Sequence, residues 1–254
     1  MQNVVSCNLQ GNLAEQLFQL ANIYNYSTKH DKTIIIRNDC YINDELKHLL
    51  KNKINIMNEN DFNKIHFKFH IENDEIPYCN NNLYITGSFI NNDNYTENTR
   101  LFISNLFINN NKYYNEAIGI INNIKTYFNN YNDDNYIIMY YNYTNYLDND
   151  ITYYNNAYEK LNGKHKNIIV LSNNVIDCKN HLSINKNFYF IENSNECVHL
   201  LLMLLIPNVI GCNLYLSWWG AYLSDKTTIM PVIYKNLKIN NCLYIYRANN
   251  GSQY

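Results

Sequence analysis

The sequence predicts an α/β fold made of two Rossmann-like domains that face each other across a cleft. Apolar, β-branched runs alternate with helical stripes, which is typical of a parallel sheet covered by helices. The alternation occurs twice along the 254 residues, and a very polar segment at 128–136 separates the two series. We therefore predict an N-terminal domain over residues 1–132 and a C-terminal domain over residues 133–254. In such sheets, ligands bind at the carboxyl ends of the strands.

The first half opens with a strand–helix–strand unit. Residues 3–7 form a short apolar strand, a polar turn containing Gly11 follows, and apolar residues at helical spacing run from Leu13 to Tyr24. The β-branched run at 32–37 predicts the second strand, and because a helix connects the two strands they should pair in parallel. Weaker patterns predict helices near 43–51, 96–108 and 113–129 and a strand at 83–87.

The second half repeats the alternation from a strand at 136–141. A helix follows whose apolar and aromatic residues share one face: Tyr154, Ala157, Tyr158 and Leu161. The segment from Glu196 to Ile206 predicts a buried helix, because it is apolar nearly all round and Pro207 ends it. Strands at 167–171, 188–191, 208–212 and 227–230 and a short helix at 217–223 complete this half.

Composition narrows the classes of function. The 20 basic and 22 acidic residues leave a net charge of −2, so bulk electrostatics would not hold a nucleic acid. The seven cysteines include no C-x-x-C pair, which favours reduced thiols over a zinc ribbon or a disulfide framework. His66 and His70 alternate along a strand and lie ~13 Å apart, too far to share a metal ion. We therefore expect neither a nucleic-acid partner nor a metal site.

The sequence also indicates where the protein is located. The longest apolar run, 200–206, is far too short for a membrane span, and the first residues lack the pattern of a signal peptide. We therefore expect a cytoplasmic protein with no membrane span. The abundance of Asn, Tyr and Ile, which have A/T-rich codons, indicates a low-GC genome; in a viral source the location would be the host cytoplasm.

Two turns have features of an anion site. Gly11 lies between a strand and a helix, where backbone N–H groups can face a phosphate, although a tight turn without a ligand is the simpler interpretation. Asn213 and Ser217 are candidate N-caps of the helix that carries adjacent Trp218 and Trp219. Adjacent side chains point to different sides of a helix, so one indole can face the cleft; in the alternative, both are core residues under a loop.

Four segments resemble, in order along the chain, those of glycosyltransferase family eleven, the α-1,2-fucosyltransferases. GNLAEQLFQLA (11–21) is similar to the family's G-R-L-G-N-Q-L-F-Q-Y-A, and YITGSFINNDNY (84–95) to L-x-G-Y-F-Q-S-x-x-Y-F. IIVLSNNVIDCK (168–179) resembles F-S-D-D-x-x-W-C, and NLYLSWWGAYL (213–223) resembles N-S-S-F-S-W-W-G-A-W/Y-L. The resemblance implies the glycosyltransferase B-type fold, with an acceptor-side domain followed by a donor domain.

The resemblance also implies a reaction and a set of site residues. Such enzymes transfer L-fucose from GDP-fucose to a glycan hydroxyl with inversion, without a metal and with no cofactor besides the nucleotide sugar. Gly11 and Gln16 would line the cleft, Ser172 would lie near the nucleoside, and the donor would contact the start of the Trp helix. The residues implied there are Asn213, Leu214, Tyr215, Ser217 and Trp218.

One family motif differs at its charged positions. The family's H-x-R-R-G-D-Y aligns with residues 140–146, so Asn142 and Tyr143 stand in place of both arginines and Asn145 in place of the aspartate. The catalytic residues are therefore left unassigned, and Lys160, Lys164 or Arg247 would have to supply a cation. Two hypotheses follow: a divergent glycosyltransferase, or a non-catalytic homologue that binds a nucleotide, a glycan or a protein.

Overall fold

The computed structural model shows two compact units, Met1–Asn110 (unit 1) and Asn111–Tyr254 (unit 2), each built on its own parallel sheet. This confirms the predicted α/β fold class. The structure describes residues 3–38, 41–71, 76–90, 95–130, 132–141, 151–161, 166–172, 174–182, 188–192, 194–224, 226–232, 239 and 241–245. Among the helices in these ranges, none has the length and apolarity needed to cross a bilayer.

Unit 1 contains a five-stranded sheet in the order β3-β2-β1-β5-β4, with every described pair parallel. Its strands are β1 (Val4–Cys7), β2 (Thr33–Arg37), β3 (Asn55–Met57), β4 (Lys68–Ile71) and β5 (Leu83–Thr86). Its helices are α1 (Leu13–His30), α2 (Asp44–Leu50), α3 (Glu59–Phe62) and α4 (Glu97–Ile108). The core forms where the wholly buried β1 meets the apolar face of α1.

Helix α1 begins where the sequence predicts because Asn12 caps it. The Asn12 side chain accepts from the Glu15 N–H, and the Glu15 carboxylate accepts from the Asn12 N–H, forming a capping box. The helix ends at Asp31, which adopts the left-handed conformation at φ 50°. The α1 N-terminus is thereby fixed at the carboxyl end of β1.

Unit 2 contains a six-stranded sheet in the order β11-β10-β9-β6-β7-β8, again with parallel pairs. Its strands are β6 (Tyr136–Tyr141), β7 (Asn167–Ser172), β8 (Phe188–Phe190), β9 (Asn208–Ile210), β10 (Thr227–Pro231) and β11 (Cys242–Ile245). Its helices are α5 (Asn111–Phe128), α6 (Ile151–Lys160), α7 (Val175–His181), α8 (Glu196–Leu205) and α9 (Tyr215–Ser224). This is the strand order of a dinucleotide-binding Rossmann fold.

The two units divide after Asn110, not after residue 132 as the sequence predicts. Helix α5 packs on α8 of unit 2 through a buried stripe that includes Tyr113, Ala117 and Ile124. The polar segment that suggested a linker is a turn inside unit 2, where the Lys125 ammonium forms an ion pair with Asp133 at 2.6 Å. Helix α5 therefore belongs with the second sheet.

Candidate functional site

The candidate site in unit 2 lies where its strand order reverses. The chain leaves β6 toward β7 and β8, then returns to the other side of β6 to form β9, β10 and β11. Strand β6 pairs with β9 through Ile138↔Val209 and Met139↔Ile210, so their carboxyl ends are neighbours. The connections that follow these two strands lead to helices on opposite faces of the sheet. Such a switch point is where parallel α/β sheets bind ligands.

Helix α9 starts at this switch point with an N-cap residue whose own side chain cannot accept a hydrogen bond. The Trp218 N–H donates to the Leu214 carbonyl at 3.1 Å, which makes Leu214 the N-cap residue, and leucine carries no acceptor. The predicted caps are therefore wrong: Asn213 precedes the cap, and the Ser217 Oγ accepts from the Cys212 N–H at 2.9 Å. Among the described residues, five other helices are capped by the side chain of their N-cap residue: Asn12, Asn43, Asn58, Thr96 and Asn195. An uncapped helix N-terminus favours an anion.

The loop before α9 is held against the sheet. The Tyr153 hydroxyl donates to the Gly211 carbonyl at 2.8 Å, and the Gly211 N–H donates to the Ile229 carbonyl at 2.8 Å. A Cβ on Gly211 would lie 2.1 Å from Met230 Sδ and 2.6 Å from Ser217 Oγ, so a larger residue there would force these side chains to move. The start of α9 is therefore preorganised by contacts on both sides.

Two buried polar atoms beside this loop have no hydrogen-bond partner among the described residues: Asn213 Oδ1 and His199 Nδ1. His199 is only 7% exposed, and its ring meets the Tyr140 ring edge-on at 5.7 Å between centroids. Tyr140 is the penultimate residue of β6, so the contact lies near the switch point. Burial lowers the pKa of His199 to about 4 and raises the pKa of Tyr140, so both side chains are neutral near pH 7. Buried polar atoms are rarely left without a hydrogen-bond partner, so these two mark a place where a bound ligand could supply one.

Both tryptophans of α9 are core residues. Trp218 and Trp219 are 1% and 0% exposed, and Trp218 stacks on Tyr222 at 5.0 Å with an interplanar angle of 8°. The two indoles also meet edge-on at 5.1 Å. This supports the alternative of core tryptophans and leaves the backbone of α9, rather than an indole, at the switch point.

Ser172 ends β7 at the same edge of the sheet, one strand away from the switch point. Its Oγ accepts from the Asn174 N–H at 3.1 Å. Burial raises the pKa of the Cys178 thiol to about 12, against the opposing effect of a hydrogen bond from Ser172. The Ser172 hydroxyl therefore shapes the turn into α7.

Gly11 and Gln16 lie together in unit 1. The Gln16 amide is fully buried; its Nε2 donates to the Gly11 carbonyl at 3.0 Å and the Tyr41 carbonyl at 2.7 Å, and its Oε1 accepts from the Asn43 N–H at 2.9 Å. Gly11 has φ +88°, and a Cβ there would lie 2.1 Å from Glu15 Oε2. In this structure Gln16 joins the loops that follow β1 and β2.

The structure does not describe every predicted site residue. Asn142, Tyr143 and Asn145 lie outside the described residues, as do Lys164 and Arg247. Lys160 is the last residue of α6, and because α6 leads from the carboxyl end of β6 back to the amino end of β7, Lys160 lies far from the switch point. Within the described ranges, no three His, Cys, Asp or Glu side chains come together in a metal-binding group.

Sequence reasoning missed His199 and Tyr140. A histidine within a helix that is otherwise almost entirely apolar was the available signal, since a buried polar group needs a partner. The contact with Tyr140 joins residues 59 positions apart in the chain, and hydrophobic periodicity cannot reveal it.

No protein-family model matches the chain, and no curated protein matches it. Several solved structures do match the chain. The fucosyltransferase NodZ from Bradyrhizobium matches with a TM-score of 0.57 at 10% identity, over 88% of this chain and 93% of that chain. NodZ α-1,6-fucosyltransferase soaked with GDP-fucose matches with a TM-score of 0.57 at 9% identity, over 87% and 92%. The form co-crystallised with GDP matches with a TM-score of 0.55 at 9% identity, over 88% and 93%.

The chain shares the fold of NodZ. Two parallel sheets covered by helices match the glycosyltransferase B-like architecture of these fucosyltransferases. Because only about a tenth of the residues are identical to those of NodZ, the likeness establishes the fold alone. The chemistry has to be argued from the site.

Proposed function

We propose that the protein is a fucosyltransferase-like glycosyltransferase that binds a nucleotide sugar at the switch point of unit 2. The observation that carries this proposal is the N-terminus of α9, which follows the carboxyl end of β9 beside β6 and whose N-cap residue, Leu214, has no side-chain acceptor. The likeness to NodZ structures prepared with GDP-fucose and GDP supports a guanosine diphosphate sugar as donor. The resemblance to family eleven further suggests L-fucose as the sugar and an α-1,2 linkage.

The start of α9 suits the leaving group of this reaction. Transfer of a sugar leaves a diphosphate whose growing charge must be stabilised. The N–H groups of the first helical turn, residues 215–217, make no intrahelical bonds and carry the positive end of the helix dipole. Asn213 and Leu214 lead directly into that turn, and Ser172, the last residue of β7 at the same edge of the sheet, would lie near the nucleoside.

Each unit would bind one of the two substrates, as the resemblance implies. Unit 2 would hold the donor, and unit 1, with the loop of Gly11 and Gln16, would serve the glycan acceptor. An inverting transfer needs one base that takes the proton of the acceptor hydroxyl. Neither a metal nor a further cofactor is part of this scheme.

The change Leu214→Asp tests the donor site. A carboxylate at the N-cap would stabilise α9 by about 0.5–2 kcal/mol and place a negative charge where the diphosphate should bind. We expect GDP-fucose affinity, measured by calorimetry, to fall at least about tenfold while thermal stability is kept or raised. The matched control is Thr96→Asp, which adds the same charge at the N-cap of α4 in unit 1. Equal affinity in wild type and Leu214→Asp would refute the site.

A non-catalytic homologue is the second candidate. The observation that favours it is in the sequence: Asn142, Tyr143 and Asn145 occupy the positions of the family's two arginines and aspartate. The two candidates differ in turnover. Release of GDP from GDP-fucose with a panel of glycan acceptors supports the enzyme, whereas binding at the Leu214-sensitive site without GDP release supports the binding protein.

A further inference from the structure

We infer that His199 takes up a proton when a nucleotide sugar binds, so that its imidazolium becomes a cation of the donor site. This inference rests on the proposed function. It assigns a role to a buried histidine that the fold does not otherwise use. The proton comes from solvent and goes to the unprotonated ring nitrogen; no bond of the ligand breaks in this step.

Helix packing places His199 beside the start of α9. Helices α8 and α9 both lead away from the carboxyl edge of one parallel sheet, so they run in the same direction. They touch at Gly220, where a Cβ would lie 2.4 Å from Met203 Sδ. One turn closer to the N-terminus on each helix are His199 and Leu216, and Leu216 lies in the first turn of α9. His199 is therefore level with the proposed diphosphate site.

The contacts of His199 leave one side of its ring unsatisfied. Its backbone N–H donates to the Asn195 carbonyl at 3.0 Å, within α8, and its ring rests against Tyr140 of β6. Its Nδ1 is buried and has no partner among the described residues. A buried nitrogen without a hydrogen-bond partner lowers the stability of the fold unless a ligand supplies that partner. Asn213 Oδ1 is also unpartnered in the adjacent loop; as an acceptor, it would pair with a sugar hydroxyl or a base N–H of the ligand and not with the phosphates.

The groups packed around His199 explain why it is neutral in the free protein. Burial is the cause of its low pKa. The titratable or charged side chains on the surrounding elements are Tyr140 on β6, Cys212 after β9, Glu196 and Cys197 on α8, Tyr222 on α9, and Tyr113 on α5 with the Lys112 ammonium 4.8 Å from its ring. Glu196 and Cys197 lie within one turn of His199, and Glu196 is exposed to solvent, which screens its charge.

A bound diphosphate adds two negative charges, and an opposite charge within ~4–6 Å raises a histidine pKa by about 1–3 units.

Proton uptake can be counted with GDP-fucose itself. Both of its phosphates are esterified, so the ligand does not titrate near pH 6. Calorimetric titrations at pH 5.5 in two buffers of different ionisation enthalpy give the number of protons bound per ligand. For a two-unit rise of the pKa we expect most of one proton to be taken up and GDP-fucose to bind roughly tenfold more tightly at pH 5 than at pH 7.

Two histidine variants assign the proton. His199→Gln should abolish the uptake and flatten the pH dependence of binding, whereas His66→Gln, an exposed histidine of unit 1, should leave both unchanged. If His199→Gln fails to fold, the ring signal of His199 followed by NMR in the wild type should move toward the protonated position when GDP-fucose is added at pH 5.5.

The outcomes separate the two proposals. Tight GDP-fucose binding without proton uptake, or uptake that persists in His199→Gln, overturns the role of His199 and leaves the proposed donor site standing. Failure of GDP-fucose to bind at any pH between 5 and 7 overturns the proposed function, and the role of His199 with it.

Discussion

The buried His199 should make the free protein unstable toward acid, independently of any ligand. Its pKa lies near 4 in the folded chain, against 6.5 for a solvated histidine. Between these values the unfolded chain binds a proton that the folded chain does not, so stability is complete above the unfolded pKa and is lost as the pH falls toward 4. At about 1.4 kcal/mol per pKa unit, the full loss is about 3 kcal/mol, of which about 2 kcal/mol is already lost at pH 4.5.

The assay is urea unfolding at pH 7 and pH 4.5, followed by tryptophan fluorescence. Both tryptophans lie in α9, which packs on α8, so the signal reports the unit that contains His199. Wild type should lose about 2 kcal/mol more than His199→Gln between the two pH values. Paired carboxylates such as Asp61 and Glu97, whose pKa values are lowered by their partners Lys64 and Arg100, contribute equally in both proteins.

His66→Gln is the control for the loss of a histidine as such, because His66 is exposed in unit 1. It should show the pH dependence of the wild type. If wild type and His199→Gln lose the same stability on acidification, His199 is not buried in its neutral form, and the argument from its unpaired Nδ1 fails with it.

Three further predictions concern the loops and the chemistry of the site. Gly11→Ala should destabilise unit 1 by more than about 1 kcal/mol in thermal unfolding, because φ is +88° and the Cβ would collide with the Glu15 carboxylate. Ser217→Ala should lower the free energy of unfolding by about 1–3 kcal/mol in urea, because the buried Cys212 N–H loses its acceptor. GDP-fucose binding and any transfer should be unchanged by EDTA; a signal that EDTA abolishes and magnesium restores would contradict the metal-free scheme.

The sequence predicted the two sheets because their inner strands, such as β1 and β6, are apolar runs that are buried throughout. Strand β6, for example, is buried at all six positions, and hydrophobic runs of this kind are typical of strands covered on both faces. The short elements β3, α3, α7 and β11 were not predicted, because three to seven residues hold too little periodicity. The domain boundary was missed for a different reason. Whether α5 belongs to one unit or the other depends on its contact with α8, and local polarity does not encode that contact.

Side-chain roles were less predictable than the elements that carry them. Gln16 matches a family position expected at the cleft, but its amide bonds a loop 27 residues away, which no local pattern reveals. The adjacent tryptophans suggested one exposed ring, because neighbouring helical residues diverge. Helix α9 is nonetheless buried along nearly its whole length, from Leu216 to Ser224, so both rings are enclosed. The apolar composition of 216–223 was the signal that favoured the core interpretation.

The alignment that puts Asn142 and Tyr143 at the family's arginine positions leads, together with the buried histidine, to one more prediction. A permanent arginine cation neutralises a diphosphate at any pH, whereas the helix end contributes only about half a charge and His199 adds its charge only after protonation. Asn142→Arg should therefore tighten GDP binding by ~1.5–3 kcal/mol, roughly ten- to over a hundred-fold at pH 7.

The same variant should also take up fewer protons with GDP-fucose at pH 5.5, because a neighbouring positive charge opposes protonation of His199. Calorimetry of the wild type and of Asn142→Arg in the same two buffers measures the affinity and the proton uptake together. Tighter binding with unchanged proton uptake would mean that residue 142 and His199 do not face the same phosphates. Unchanged affinity would mean that the alignment of residues 140–146 with the family's arginine motif is mistaken.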